Sequence, residues 1–126
     1  MKIRYLISLL IVLCPCMQTK NNSFNHIILD DVEQVYISNL LKGTKVKLST
    51  QDLKTLLGDI NKAKFVGKYK WIDQYSLEIL LKSSERIELS CNNNMFKINS
   101  KGDDTYKISN KVNYFKLLLD NNKKEP

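Results

Sequence analysis

Between Tyr75 and Ile108, apolar residues recur at every second position in four short runs. They are Leu77, Ile79 and Leu81; Ile87, Leu89 and Cys91; Phe96 and Ile98; and Tyr106 and Ile108. A period of two marks a strand with one face on a core and the other in water. A one-residue slip would turn a strand's apolar set to solvent, so pairing must match apolar to apolar. Leu81 opposite Ile87, Ile79 opposite Leu89 and Leu77 opposite Cys91 meet that condition around Ser83-Ser84-Glu85. Cys91 opposite Phe96 and Leu89 opposite Ile98 meet it around Asn92-Asn93-Asn94-Met95, where asparagine tolerates positive φ. Ile98 opposite Tyr106 and Phe96 opposite Ile108 meet it with Lys101-Gly102-Asp103 at the tip. The outer face then carries Glu78, Lys82, Glu88, Ser90, Lys97 and Lys107. A sheet wet on one side is typically antiparallel, and its inner face must be covered by other elements.

The first half of the chain supplies that cover. Val35 and Ile37 alternate in a strand over Val32–Ser38, Leu40-Leu41-Lys42-Gly43 reads as a turn, and Lys45–Leu48 as a second strand. Ser49 opens a helix, with Asp52 three residues on near its positive end. Leu53, Leu56, Leu57 and Ile60 follow at i, i+3, i+4 and i+7, one apolar stripe. Gly58 lies inside this helix, where it marks a close approach or an early end. At the C-terminal end Ser109 or Asn110 caps a last helix whose stripe is Val112, Phe115, Leu118 and Leu119, with a polar, fraying end from Asn121.

Lys2 and Arg4 precede an apolar run, Tyr5 to Leu13, and then Cys14, Pro15 and Cys16. A basic start followed by a short apolar run is the layout of a secretory signal, and the run is too short to span a bilayer as a helix. Cys14 and Cys16 can fill the small-residue positions of an ordinary cleavage site, leaving Met17 first. Alternatively, one of them carries lipid: Ile11-Val12-Leu13-Cys14 resembles a bacterial lipoprotein signal, although Leu13 and Pro15 stand where that pattern has Gly or Ala. The resemblance implies membrane attachment through lipid and covers the signal alone. The expected organisation is a signal over residues 1–16, a polar tether over 17–30, one α+β domain over 31–122 and a disordered tail over 123–126.

The formal charge of +7 falls to +5 without Lys2 and Arg4, which leaves 18 basic against 13 acidic side chains. The lysines are scattered, and diffuse charge speaks of solubility before recognition. The exception is Lys68-Tyr69-Lys70-Trp71, which interleaves cations and aromatics. It reads either as a contact surface for a sugar, base or protein or, more simply, as an edge strand with Tyr69 and Trp71 turned inward. Trp71 is the first choice for a partner contact.

Little in the sequence is suited to catalysis. His26 is the one histidine and falls in the tether, so a protein-only metal site is not expected. Cys91 lacks a base and reads as a small buried apolar residue. No GxSxG, P-loop or GxGxxG is present. Glu78 and Glu88 lie close together on the outer face and read as solvated charges, and Asp103-Asp104 is too small a ligand set for calcium. The expected fold is α+β: a mostly antiparallel sheet of five or six strands, four of them a C-terminal meander, with two helices on one face. The expected function is that of a small exported, non-enzymatic binding protein of the cell envelope, an inhibitor or immunity-type protein, with no catalytic residue, metal or cofactor. Its expected partner is another protein, with Lys68, Tyr69, Lys70 and Trp71 as contacts and Cys14 or Cys16 as the lipidation position. The alternative is a module binding anionic envelope polymers through the same lysines. No nucleic-acid partner is expected.

Overall fold

The computed structural model describes residues 27–108 and 111–123. The signal over residues 1–16, with Cys14 and Cys16, lies outside them, as do His26, Ser109 and Asn110. Seven strands form one antiparallel sheet: β1 Val32–Asn39, β2 Thr44–Lys47, β3 Lys64–Lys68, β4 Tyr75–Leu81, β5 Arg86–Asn92, β6 Met95–Ile98 and β7 Asp104–Lys107. Helices α1 (Thr50–Asn61) and α2 (Tyr114–Asn122) complete an α+β fold. The order across the sheet is β2-β1-β4-β5-β6-β7-β3. The meander is present as expected, and the strand beyond the expected five or six is β3. No helix among the described residues is long and apolar enough to cross a membrane.

The order explains the helix. β2 and β3 sit at opposite edges, so the segment joining them must cross the whole sheet, and α1 is that segment. Ser49 caps it, its Oγ accepting from the Asp52 N–H at 3.2 Å. Leu53, Leu56, Leu57 and Ile60 are buried as the stripe required. They meet Val35, Ile37, Leu77, Ile79, Leu89, Cys91 and Phe96 from the inner face of the sheet in a single core.

The middle hairpin has the expected register, Cys91 opposite Phe96 and Leu89 opposite Ile98. The other two are shifted by two residues. Ile79 faces Ile87 and Leu77 faces Leu89, and Phe96 faces Tyr106. A two-residue shift leaves every side chain on its face, so the apolar pattern does not distinguish the registers; the turns do. Ser84 adopts φ +78, its N–H donates to Leu81 O, and Leu81 N–H donates to Glu85 O. This tight three-residue loop draws the strands two residues further together. At the other end a 3-10 turn over Asn99–Lys101 takes up the tip, and the Phe96 and Tyr106 rings stack at 5.5 Å.

Asparagines latch the periphery. Asn61 accepts from the Ile27 N–H and donates to the Ile27 carbonyl, at 2.9 and 3.0 Å. Ile27 is buried in the core, so the packed unit includes residues the sequence reading assigned to the tether. Asn93 accepts from the Asn113 and Phe115 N–H groups, tying the start of α2 to the β5–β6 turn. Helix α2 begins at Tyr114 after Asn113, and its buried set is Tyr114, Phe115, Leu118, Leu119 and Asn122. Val112 precedes the helix and is exposed, contrary to the expected stripe. Asn122 is buried rather than frayed: it accepts from Ser49 N–H and donates to Asp52 and to Leu118 O, joining the end of α2 to the start of α1.

Two predictions follow from the helices. Gly58 continues the helix, and a Cβ there would meet nothing within 4 Å. Gly58→Ala is therefore expected to stabilise the fold by about 0.5–1 kcal/mol in urea unfolding. The Tyr114 hydroxyl donates to Asp59 at 2.6 Å, and burial and that carboxylate hold its ionisation well above the ordinary range. Its folded pKa is raised, so its contribution is complete below about pH 10, the unfolded value, and is lost as pH rises beyond it. Stability of the native chain is expected to fall more steeply above pH 10 than that of Tyr114→Phe, as read from denaturant midpoints.

Candidate interaction surface

Strand β3 lies at one edge and β4 lies beyond β7, β6 and β5. Four strand spacings are about 19 Å. Seven residue steps, Lys68 to Tyr75, reach about 24 Å when fully extended. The inner face is occupied by α1, so residues 69–74 cross the outer face as a nearly straight strap with no turn in it.

The strap is fastened along its length. Tyr69 N–H donates to Asp103 O, Trp71 Nε1 donates to Thr105 Oγ1 at 3.1 Å, Asn92 Nδ2 donates to the Ile72 carbonyl at 2.8 Å, and Gln74 N–H donates to Cys91 O. Trp71 lies against the outer faces of β6 and β7. Lys97 Nζ stands 4.5 Å from its ring centroid and pairs with Asp103 at 3.1 Å. This cover buries Thr105 and Lys97, which would otherwise face water. Lys97 is a buried charge made tolerable by a carboxylate and an aromatic face.

Neighbours in an extended segment point to opposite sides. With Trp71 turned inward, Lys70 and Ile72 turn outward, and Ile72 is 82% exposed. Tyr69 is half exposed, its ring over Gly67, where a Cβ would come within 2.9 Å of it. Gly67 also has φ +132, so glycine is required there on both counts.

The four contact candidates from the sequence thus separate. Strand β3 ends at Lys68, so Tyr69 and Trp71 are not part of an edge strand with their rings in the core. Trp71 spends much of its surface on its own sheet. Lys68 is held by Asp104 at 2.6 Å, which raises its pKa first through that hydrogen bond. Lys70 turns outward, and Tyr69 stays half exposed beside Gly67. Ile72, which the sequence reading passed over, is the most exposed residue of the strap among its apolar members; its signal was its place beside a tryptophan in an extended run.

Elsewhere on the outer face Glu78 bridges Lys45 at 3.1 Å and Arg86 at 2.8 Å. Cys91 is fully buried, and desolvation pushes its thiol well up, the state of an unreactive core cysteine. A groove of about 430 Å³ lies between Ile27, Ile28, Leu81, Ile87 and Ile98. Among the described residues no group of three or more His, Cys, Asp or Glu side chains is gathered to hold a metal ion. Compared with family models, curated proteins and solved structures, the chain matches none.

Trp71 fixes the strap, and its replacement is expected to release it. Trp71→Phe, losing the bond to Thr105, should cost about 1 kcal/mol. Trp71→Ala should cost about 2 kcal/mol and speed amide hydrogen exchange at residues 69–73 without altering exchange in β1.

Proposed function

We propose that this is a small non-enzymatic binding protein of the cell envelope, carried there by its N-terminal signal, and that it binds a partner protein over the strap of residues 69–74. The reading rests on one observation: Tyr69 and Ile72 are exposed on a segment fastened at four residues, through the backbone at Tyr69, Ile72 and Gln74 and through the indole of Trp71. An apolar side chain presented on a fixed backbone loses little freedom on binding, which favours affinity. Export and the lipid anchor rest on the layout of residues 1–16, and the anchor is Cys14 or Cys16. An inhibitor or immunity-type role suits a stoichiometric contact of this kind. The alternative, an anionic envelope polymer held by Lys68 and Lys70, has less support, because Asp104 already neutralises Lys68.

Photo-crosslinking in the native cells tests the reading. A benzophenone side chain at Ile72 is expected to give one discrete protein adduct, and one at Leu41, an exposed apolar residue of the β1–β2 turn, is expected to give none. Excess unlabelled chain should suppress the adduct, whereas the Tyr69→Ala, Ile72→Ser double variant should not. Equal adducts at both positions, or suppression by the double variant, would overturn it.

A further inference from the structure

We propose that the partner presents carboxylates to Lys64 and Lys107, making it an acidic protein surface; this rests on the strap being the contact region. Lys64 and Lys107 are directly opposed on β3 and β7. They stand on the outer face, because Phe65 and Tyr106 beside them turn to the core, their rings in edge contact at 5.8 Å. Both lysines are exposed, and neither forms an ion pair with a described residue. Like charges directly opposite in a sheet repel.

The rest of the face shows how the chain treats such conflicts. Glu78 is directly opposite Glu88, and there Lys45 and Arg86 both close on Glu78. Lys68 has Asp104 and Lys97 has Asp103. The Lys64–Lys107 opposition is left without such a counter-charge among the described residues. It also lies beside the strap. Asn92 faces Met95, Met95 faces Lys107, and Lys107 faces Lys64 in one row across β5, β6, β7 and β3. Asn92 is the residue that holds the Ile72 carbonyl. Lys107 is therefore two strands, about 10 Å, from the fastening of the exposed isoleucine. Lys70 on the strap is likewise exposed and forms no ion pair with a described residue, and Asp73 forms none with any of these lysines.

An apolar projection beside two uncompensated cations fits a protein surface that pairs an apolar recess with carboxylates. A polyanion would use the charges and leave Ile72 in water. A carboxylate set between the two ammonium groups turns a repulsion into ion pairs, and the contact made by Ile72 excludes water from them.

The test is a 15N NMR titration of the full-length chain with a synthetic peptide of alternating Glu and Leu, and in parallel with polyphosphate of equal charge. The peptide is expected to move the amides of Lys64, Ile72 and Lys107 together and saturably. Lys64→Gln with Lys107→Gln should weaken it at least tenfold, and Lys45→Gln with Lys47→Gln less than twofold. Polyphosphate should bind the pair more weakly than the peptide. Absence of saturation, equal perturbation at Lys45 and Lys47, or tighter binding of polyphosphate would overturn the proposal, the last assigning the face to an anionic polymer. The two readings separate through the Ile72 crosslink. If the adduct persists undiminished in the Lys64→Gln, Lys107→Gln chain, the strap remains the contact and the acidic partner is wrong. If the native chain gives no adduct, the strap reading fails first.

Discussion

Six residues join two strands that lie on opposite sides of three others. The rest of the outer face follows from that shortage of chain. A longer loop could have gone round the end of the sheet; this one has scarcely enough reach to go straight across. It must lie on the sheet, and whatever lies on the sheet must satisfy the groups it covers. Trp71 meets that demand with its ring over Lys97 and its N–H on Thr105. Asp103 completes it by pairing with the lysine. Gly67 allows the turn into the crossing and leaves room for the Tyr69 ring. Removing water from Lys97 is costly, and its two partners are what make the strap's position compatible with a stable fold.

The inner face obeys the same geometry from the other side. Helix α1 bridges the two edges because β2 and β3 are the edges. One face of the sheet is thus crossed by a helix and the other by an extended strap, and the two crossings are consecutive in the chain. Asparagines then fasten the periphery, each using both ends of its amide or adding its backbone carbonyl. An amide side chain suits this work because it donates and accepts in one plane without carrying charge into a half-buried position.

In the meander and in α1 the sequence showed which face the apolar residues take and left open which neighbour each one meets. Period-two alternation assigned Leu77, Ile79, Leu89, Cys91 and Phe96 to the core correctly, and the helical stripe did the same for Leu53, Leu56, Leu57 and Ile60. Two of three hairpin registers were displaced by an even number of residues, to which alternation is blind; the deciding element, Ser84 in a left-handed conformation, is a weak signal in a serine. Val112 fitted a helical spacing but precedes the helix, because the asparagine at 113 is held by Asn93, a contact between residues twenty positions apart. The same limit hid the strap. Lys68-Tyr69-Lys70-Trp71 alternates because the chain is extended, and an extended chain laid over a sheet alternates as surely as one within it. Only the strand order distinguishes the two, and strand order is a property of the whole chain.

That distinction changes what the aromatic run is for. Within an edge strand, Tyr69 and Trp71 would have been core residues. On the outer face, the inward turn of Trp71 forces the outward turn of Ile72, since adjacent side chains in an extended segment cannot share a side. The exposure of Ile72 is therefore a mechanical consequence of the anchor beside it. In the proposed contact Trp71 serves indirectly, by holding its neighbour still, and the backbone bonds at Tyr69, Ile72 and Gln74 leave the strap few alternatives to explore. Freedom given up on folding is not given up again on binding, so the stability of this face and its fitness for recognition have the same physical origin.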